Sequence, residues 1–309
     1  MFQFNFISMK ATAGMAWQAA AVGAVLAFCL SASAQIVNFY VADFGNNNIL
    51  EFDANGNWIG TLSSTALNGP DALAFDSSGN LFVANYGGSI VEFDSSGNLV
   101  NANFATGLNH PTGLAFDRSG MLYVADAGNN TIKKFGPSGG TGTLFANTGA
   151  GSGPYGLAFD LNGNLYAAYT QSNVIEKFNS AGVGTLFADS GSATPWGLAF
   201  DAGGLLYAAY AANNTVERFD SSGSGITFAN SGLNQPTGLA FDPAGNLYVA
   251  NFNDGSVEKF NSTGQGTLFT SNNLTNPVAI AVKTVPEPGL GSLLAIGTAA
   301  WLGRRRFGK

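Results

Sequence analysis

Pro111-Thr112-Gly113-Leu114-Ala115-Phe116-Asp117 opens a segment that continues through Leu122-Tyr123-Val124-Ala125-Asp126 to Thr131-Ile132-Lys133-Lys134-Phe135. Three short apolar runs alternate with turn signals. Asp117 and Gly120 frame a type I turn, with Asp capping through its carboxylate and Gly taking the positive φ that follows. The pattern recurs. Prolines stand at 70, 111, 154, 195, 236 and 277, spaced by 41, 43, 41, 41 and 41 residues. Blocks like Asn246-Leu247-Tyr248-Val249-Ala250 and Val257-Glu258-Lys259-Phe260 each occur six times. A shorter fourth run, such as Gly266-Thr267-Leu268-Phe269, completes each unit. Four antiparallel strands per unit of about 40 residues is a propeller blade. No segment inside the repeats sustains a 3.6 period, which excludes helical repeats.

The expected fold is therefore all-β, a six-bladed β-propeller with four antiparallel strands per blade. The first copy, from Asn38, lacks a preceding first strand. Val278-Ala279-Ile280-Ala281-Val282 is a first strand with nothing after it. Pairing the two closes the ring, so the C-terminal strand completes the first blade. This domain occupies residues 36–284.

Composition agrees. Only 10% of the 309 residues are charged, against roughly 25% in an average soluble domain, and Gly numbers 42. The net charge of −7 argues against nucleic acid, which needs a basic face.

The two ends read as addresses. Residues 1–34 carry one charge, Lys10, then an apolar run from Ala11 to Leu30 and small residues at Ser31-Ala32-Ser33-Ala34. This is the pattern of a secretory signal peptide, with a first membrane helix as the alternative. Cys29, the only cysteine, lies inside it, so the mature chain has no disulfide. At the other end Pro286-Glu287-Pro288 precedes a short apolar run and Arg304-Arg305-Arg306. Residues 285–309 resemble the PEP-CTERM sorting signal, with a plain membrane anchor as the alternative. The resemblance implies a Gram-negative bacterium that makes an exopolysaccharide, cell-surface or extracellular delivery through the inner membrane, transient membrane association, and an exosortase-type processing protease as partner. Without both ends, 18 acidic and 7 basic residues remain, a balance of −11.

The Tyr-Val-Ala-Asp…Asn-Asn-Thr-Ile-Lys-Lys-Phe pattern at 123–135 resembles the NHL-repeat family of six-bladed propellers. It also lies near the gluconolactonase-like and virginiamycin-lyase-like propellers. The resemblance implies the fold but not an activity, since such propellers include enzymes and pure binding modules.

Subtracting the scaffold isolates site candidates. Aspartates 53, 76, 94, 117, 160, 201, 220 and 242 are turn caps, and glutamates 51, 92, 176, 217 and 258 are expected on a solvated blade edge. The residue after each proline should ring the channel mouth: Asp71, Thr112, Tyr155, Trp196, Thr237 and Val278. Those ending strand two lie nearby: Asp43, Asn85, Asp126, Tyr169, Tyr210 and Asn251. Blades four and five thus supply Tyr155, Tyr169, Trp196 and Tyr210, while the others supply oxygen ligands. Flat aromatic faces with polar neighbours suit sugar rings or extended peptides. The same aromatics could instead fill gaps between blades. His110, the only histidine, stands at the mouth beside Thr112 and is either a ligand contact or a solvated loop residue.

Two functions follow. The favoured one is a non-enzymatic binding or scaffold role, with polysaccharide, peptide or envelope proteins as partners and no cofactor required. The alternative, implied by the gluconolactonase-like resemblance, is a hydrolase or lyase. It would hold Ca²⁺ or Mg²⁺ on Asp43, Asp71, Asn85, Asp126 and Asn251.

Overall fold

The computed structural model describes residues 35–149, 153–191 and 193–286. The N-terminal leader and the sorting motif from Glu287 onward lie outside the described residues. Six four-stranded antiparallel sheets account for the described regular structure, apart from one 3₁₀ turn at Ala127–Asn129. Blade three shows the plan. Its strands are Pro111–Phe116, Leu122–Asp126, Thr131–Phe135 and Thr143–Asn147, paired in that order. The Asp117 carboxylate accepts the Ser119 and Met121 amides at 2.9 and 3.0 Å. Asp76, Asp160 and Asp220 hold their turns in the same way.

Strand Pro277–Pro286 pairs with Gln35–Asp43, then Asn48–Phe52 and Trp58–Leu62, so the end of the chain completes blade one. Residues 37–284 form one compact unit.

The second strands of blades two to six are buried along their whole length, because neighbouring blades cover both faces. The second-strand aromatic meets the first-strand Phe of the next blade edge-on. Phe82–Phe116, Tyr123–Phe159, Tyr166–Phe200 and Tyr207–Phe241 have centroids 4.9–5.0 Å apart and interplanar angles of 69–78°. Tyr40–Phe75 repeats this at 5.1 Å. At the sixth junction Val282 replaces the Phe, and Tyr248 packs on Phe39 at 4.2 Å. Such pairs contribute about 0.5–1.5 kcal/mol each beyond their burial. The glutamates expected on a solvated edge are half-buried instead. Burial pushes the Glu217 carboxyl above its usual value.

Each described first strand of blades two to six carries a bulge just after its proline, as between Pro111 and Gly113. A bulge breaks strict alternation and re-aims one side chain. Here it re-aims the residue after the proline, which faces the mouth.

Candidate functional site at the channel mouth

The strand-two ends form latches. Asp43 accepts the Asn276 and Thr275 amides at 2.8 and 2.9 Å. Asn85, Asp126 and Asn251 accept the Asn68, Asn109 and Asn234 amides at 3.0, 2.6 and 3.1 Å. Each thereby ties the loop entering its own blade. All four are buried, with at most 1% exposure. Their oxygens serve separate loops. Among the described residues no three His, Cys, Asp or Glu side chains gather around a common point. Asp43 fastens the ring-closing segment. Asp43→Ala is expected to lower stability by about 2 kcal/mol, read as a fall in melting temperature.

Tyr169 and Tyr210 take the latch position in blades four and five but are 1% and 0% exposed. They pack in the cores between blades rather than at the mouth. The Tyr210 hydroxyl lies 2.7 Å from Ser190 Oγ. Of the two readings open for the aromatics, gap filling describes this pair.

Tyr155 and Trp196 behave differently. Both are half-buried at the mouth, with ring centroids 4.4 Å apart. Tyr155, from blade four, reaches past blade three and donates its hydroxyl to Asp71 Oδ1 of blade two at 2.7 Å. Asp71 is only 5% exposed, and Tyr155 is its one hydrogen-bond donor among the described residues. Burial pushes the Asp71 carboxyl up to about 7, against a smaller downward pull from the Tyr155 hydrogen bond. Tyr155 is itself pushed well above the usual phenol range, by burial first and by Asp71 second.

Beneath this bridge lies a cavity of about 80 Å³. Its wall includes Leu73, Leu114, Leu157, Leu198, Leu239 and Ile280, one aliphatic from each blade, each 6–8% exposed. The chamber is far smaller than the ~300 Å³ lower bound for small-molecule pockets, so it takes a substituent rather than a whole ligand. Thr112 and Thr237 border it but donate to the next blade, Thr112 to the Pro154 carbonyl at 2.8 Å and Thr237 to the Pro277 carbonyl at 3.2 Å.

His110 lies flat on Tyr86, centroids 4.1 Å apart and planes 14° from parallel. Its φ of 53° is in the left-handed region, where Gly69 and Gly153 stand in neighbouring blades. Phe44 meets Tyr86 edge-on at 5.9 Å. Phe44 and Tyr86 are 36% and 45% exposed. Sequence reasoning passed over both, because they follow the strand-two end rather than occupy it. The signal was present, since this position is Phe252, Phe44 and Tyr86 in blades six, one and two but Ala127, Thr170 and Ala211 in blades three to five. Tyr86 is close enough to Tyr155 to raise its hydroxyl further. The mouth thus carries an aromatic arc from Phe44 through Tyr86 and His110 to Tyr155 and Trp196.

This repeat geometry has a counterpart in sequence. The NHL repeat profile matches residues 108–135 and 233–260. Two of the six repeats thus match the NHL repeat. Among curated proteins no sequence matches significantly. Among solved structures, a chain of the nidogen/laminin complex aligns with a TM-score of 0.71 at 20% identity, covering 80% of this chain and 98% of that one. Virginiamycin B lyase from Staphylococcus aureus aligns at 0.58 and 15%, covering 71% and 84%. A streptogramin B lyase aligns at 0.58 and 20%, covering 75% and 72%. At these identities the likeness is one of fold.

Proposed function

We propose that this NHL-repeat propeller is an exported, surface-sorted protein that binds polysaccharide across its mouth face and catalyses no reaction. The aromatic arc is the observation that carries the reading. Exposed and half-buried rings that brace one another offer flat apolar surface at little entropic cost, with polar loop groups beside them. Tyr86 and His110 brace each other by stacking, and Tyr155 is braced by Asp71 and Trp196. The leader and the PEP-CTERM-like tail support delivery to a polysaccharide-rich surface. Four of the five candidate metal ligands, Asp43, Asn85, Asp126 and Asn251, are committed to separate loops, which favours binding over metal-dependent hydrolysis.

The test is retention of the full chain on exopolymer from cells that make it. Tyr86→Ala and Trp196→Ala are each expected to weaken retention about tenfold, a usual loss for an interface aromatic. Retention unchanged in both variants would refute the reading.

A further inference from the structure

The chamber under Tyr155 has an unbalanced polarity. Its hydroxyl donors are already engaged: Thr112 and Thr237 on main-chain carbonyls and Tyr155 on Asp71. What its side chains offer an incoming group is an acceptor, the Asp71 carboxylate. No lysine or arginine pairs with Asp71 among the described residues. A carboxylate held this deep without a cation is costly, and a charged donor that enters relieves that cost. The rings around it suit the same visitor. Tyr155 bonds to Asp71 and packs on Trp196 with ring centroids 4.4 Å apart, and Tyr86 is adjacent to Tyr155. Aromatic faces attract cations, more strongly where water is excluded.

We propose that the Asp71 chamber receives the ammonium group of an amino sugar, so that the bound polymer is a polysaccharide with free hexosamine amines. This rests on the polysaccharide reading above and narrows it. The size suits a small substituent, because about 80 Å³ takes an amine and its carbon while the sugar ring rests on the outer arc. An N-acetyl group fits poorly, because acetylation removes the charge that would pair with Asp71. Acidic polymers are disfavoured twice, by Asp71 and by the propeller's balance of −11.

The experiment measures binding of the full chain to three β-1,4-linked oligomers of equal length, built from glucosamine, N-acetylglucosamine and glucose. Measurements are made in low salt and in about 0.5 M salt, which screens exposed charges but not a buried pair. The glucosamine oligomer is expected to bind about tenfold tighter than the others, and the preference should survive the salt. Asp71→Asn, isosteric and still able to accept from Tyr155, should erase that preference, while Tyr86→Ala weakens all three alike. Melting temperatures confirm that both variants fold. Equal affinity for the three oligomers, or a preference intact in Asp71→Asn, would overturn the proposal. If no oligomer binds but the chain is still retained on exopolymer, the amine site fails and the polysaccharide reading stands. If retention also fails while a lysine-rich peptide binds through Asp71, both readings fall.

Discussion

Asp71→Asn is expected to stabilise the free protein at about pH 8 and to leave it nearly unchanged near pH 3. The Asp71 carboxyl is raised from an ordinary 3.8 to about 7, by burial first. An acid whose folded pKa lies above its unfolded one favours folding most at low pH. That contribution is present below 3.8 and is lost as pH rises through about 7, because the unfolded chain ionises first. At ~1.36 kcal/mol per pH unit, the loss by pH 8 is on the order of 4 kcal/mol. Asparagine keeps an acceptor for the Tyr155 hydroxyl and carries no charge to bury. The variant should therefore melt about 10 °C higher than the parent at pH 8, given roughly 2–4 °C per kcal/mol for a domain of this size. Melting curves of both proteins across this range check it. A gap that does not widen with pH would refute the account. The opposite sign belongs to the turn caps. Asp53 and Asp94 are held below the usual carboxylate range by Asn57 and Asn98, so their contribution is present at neutral pH and fades in acid.

Asp71 is thus expected to cost stability at neutral pH. Functional sites often keep groups that the fold alone would discard. Binding of a cationic ligand would reverse the trend, because Asp71 then gains the partner it lacks. The same variant that raises the melting point should therefore lose the ligand-induced part of it.

The six blades, their turn caps and the closure of the ring were legible because they repeat. A 41-residue period with Asp and Gly at fixed offsets leaves little freedom, and the unpaired runs at both ends could only complete each other. The mouth was legible in part. Tyr155 and Trp196 stand where strand position put them, and Asp71 faces the channel. Strand position could not separate Trp196 from Tyr210. The two occupy neighbouring points of one blade, yet one borders the mouth and the other is sealed between sheets. The difference lies in the bulge after each proline, which follows from tertiary packing and not from residue pattern. Latches were also hidden. Asp43 and Asp126 resemble metal ligands in sequence because both roles need carboxylate oxygens; the loop amides placed 2.6–2.9 Å away, which reveal the latch, leave no mark in the residue pattern.

Gly113→Ala should be the most damaging of small substitutions near the site. Four first strands have Gly two residues after the proline: Gly113, Gly156, Gly197 and Gly238. A Cβ on Gly113 would fall onto the Tyr155 carbonyl oxygen and lie 3.0 Å from its carbon. Backbone cannot step aside as a side-chain tip can, so the first strands of blades three and four must separate. Overpacking of this kind costs about 3 kcal/mol, lowering the melting temperature by roughly 6–12 °C. Ala72 and Ala279 occupy the same position in blades two and one, so the constraint is local to each junction. Gly163→Ala is the control. Gly163 has φ +81, and a methyl group there would meet nothing within 4 Å. Only the left-handed backbone resists, at about 1–2 kcal/mol. Equal melting losses for the two variants would refute the argument. The site separates them a second way. The atom that Gly113 accommodates belongs to Tyr155, whose hydroxyl bridges to Asp71. Gly113→Ala should thus weaken ligand binding at temperatures where it remains folded, whereas Gly163→Ala, on the opposite face, should not.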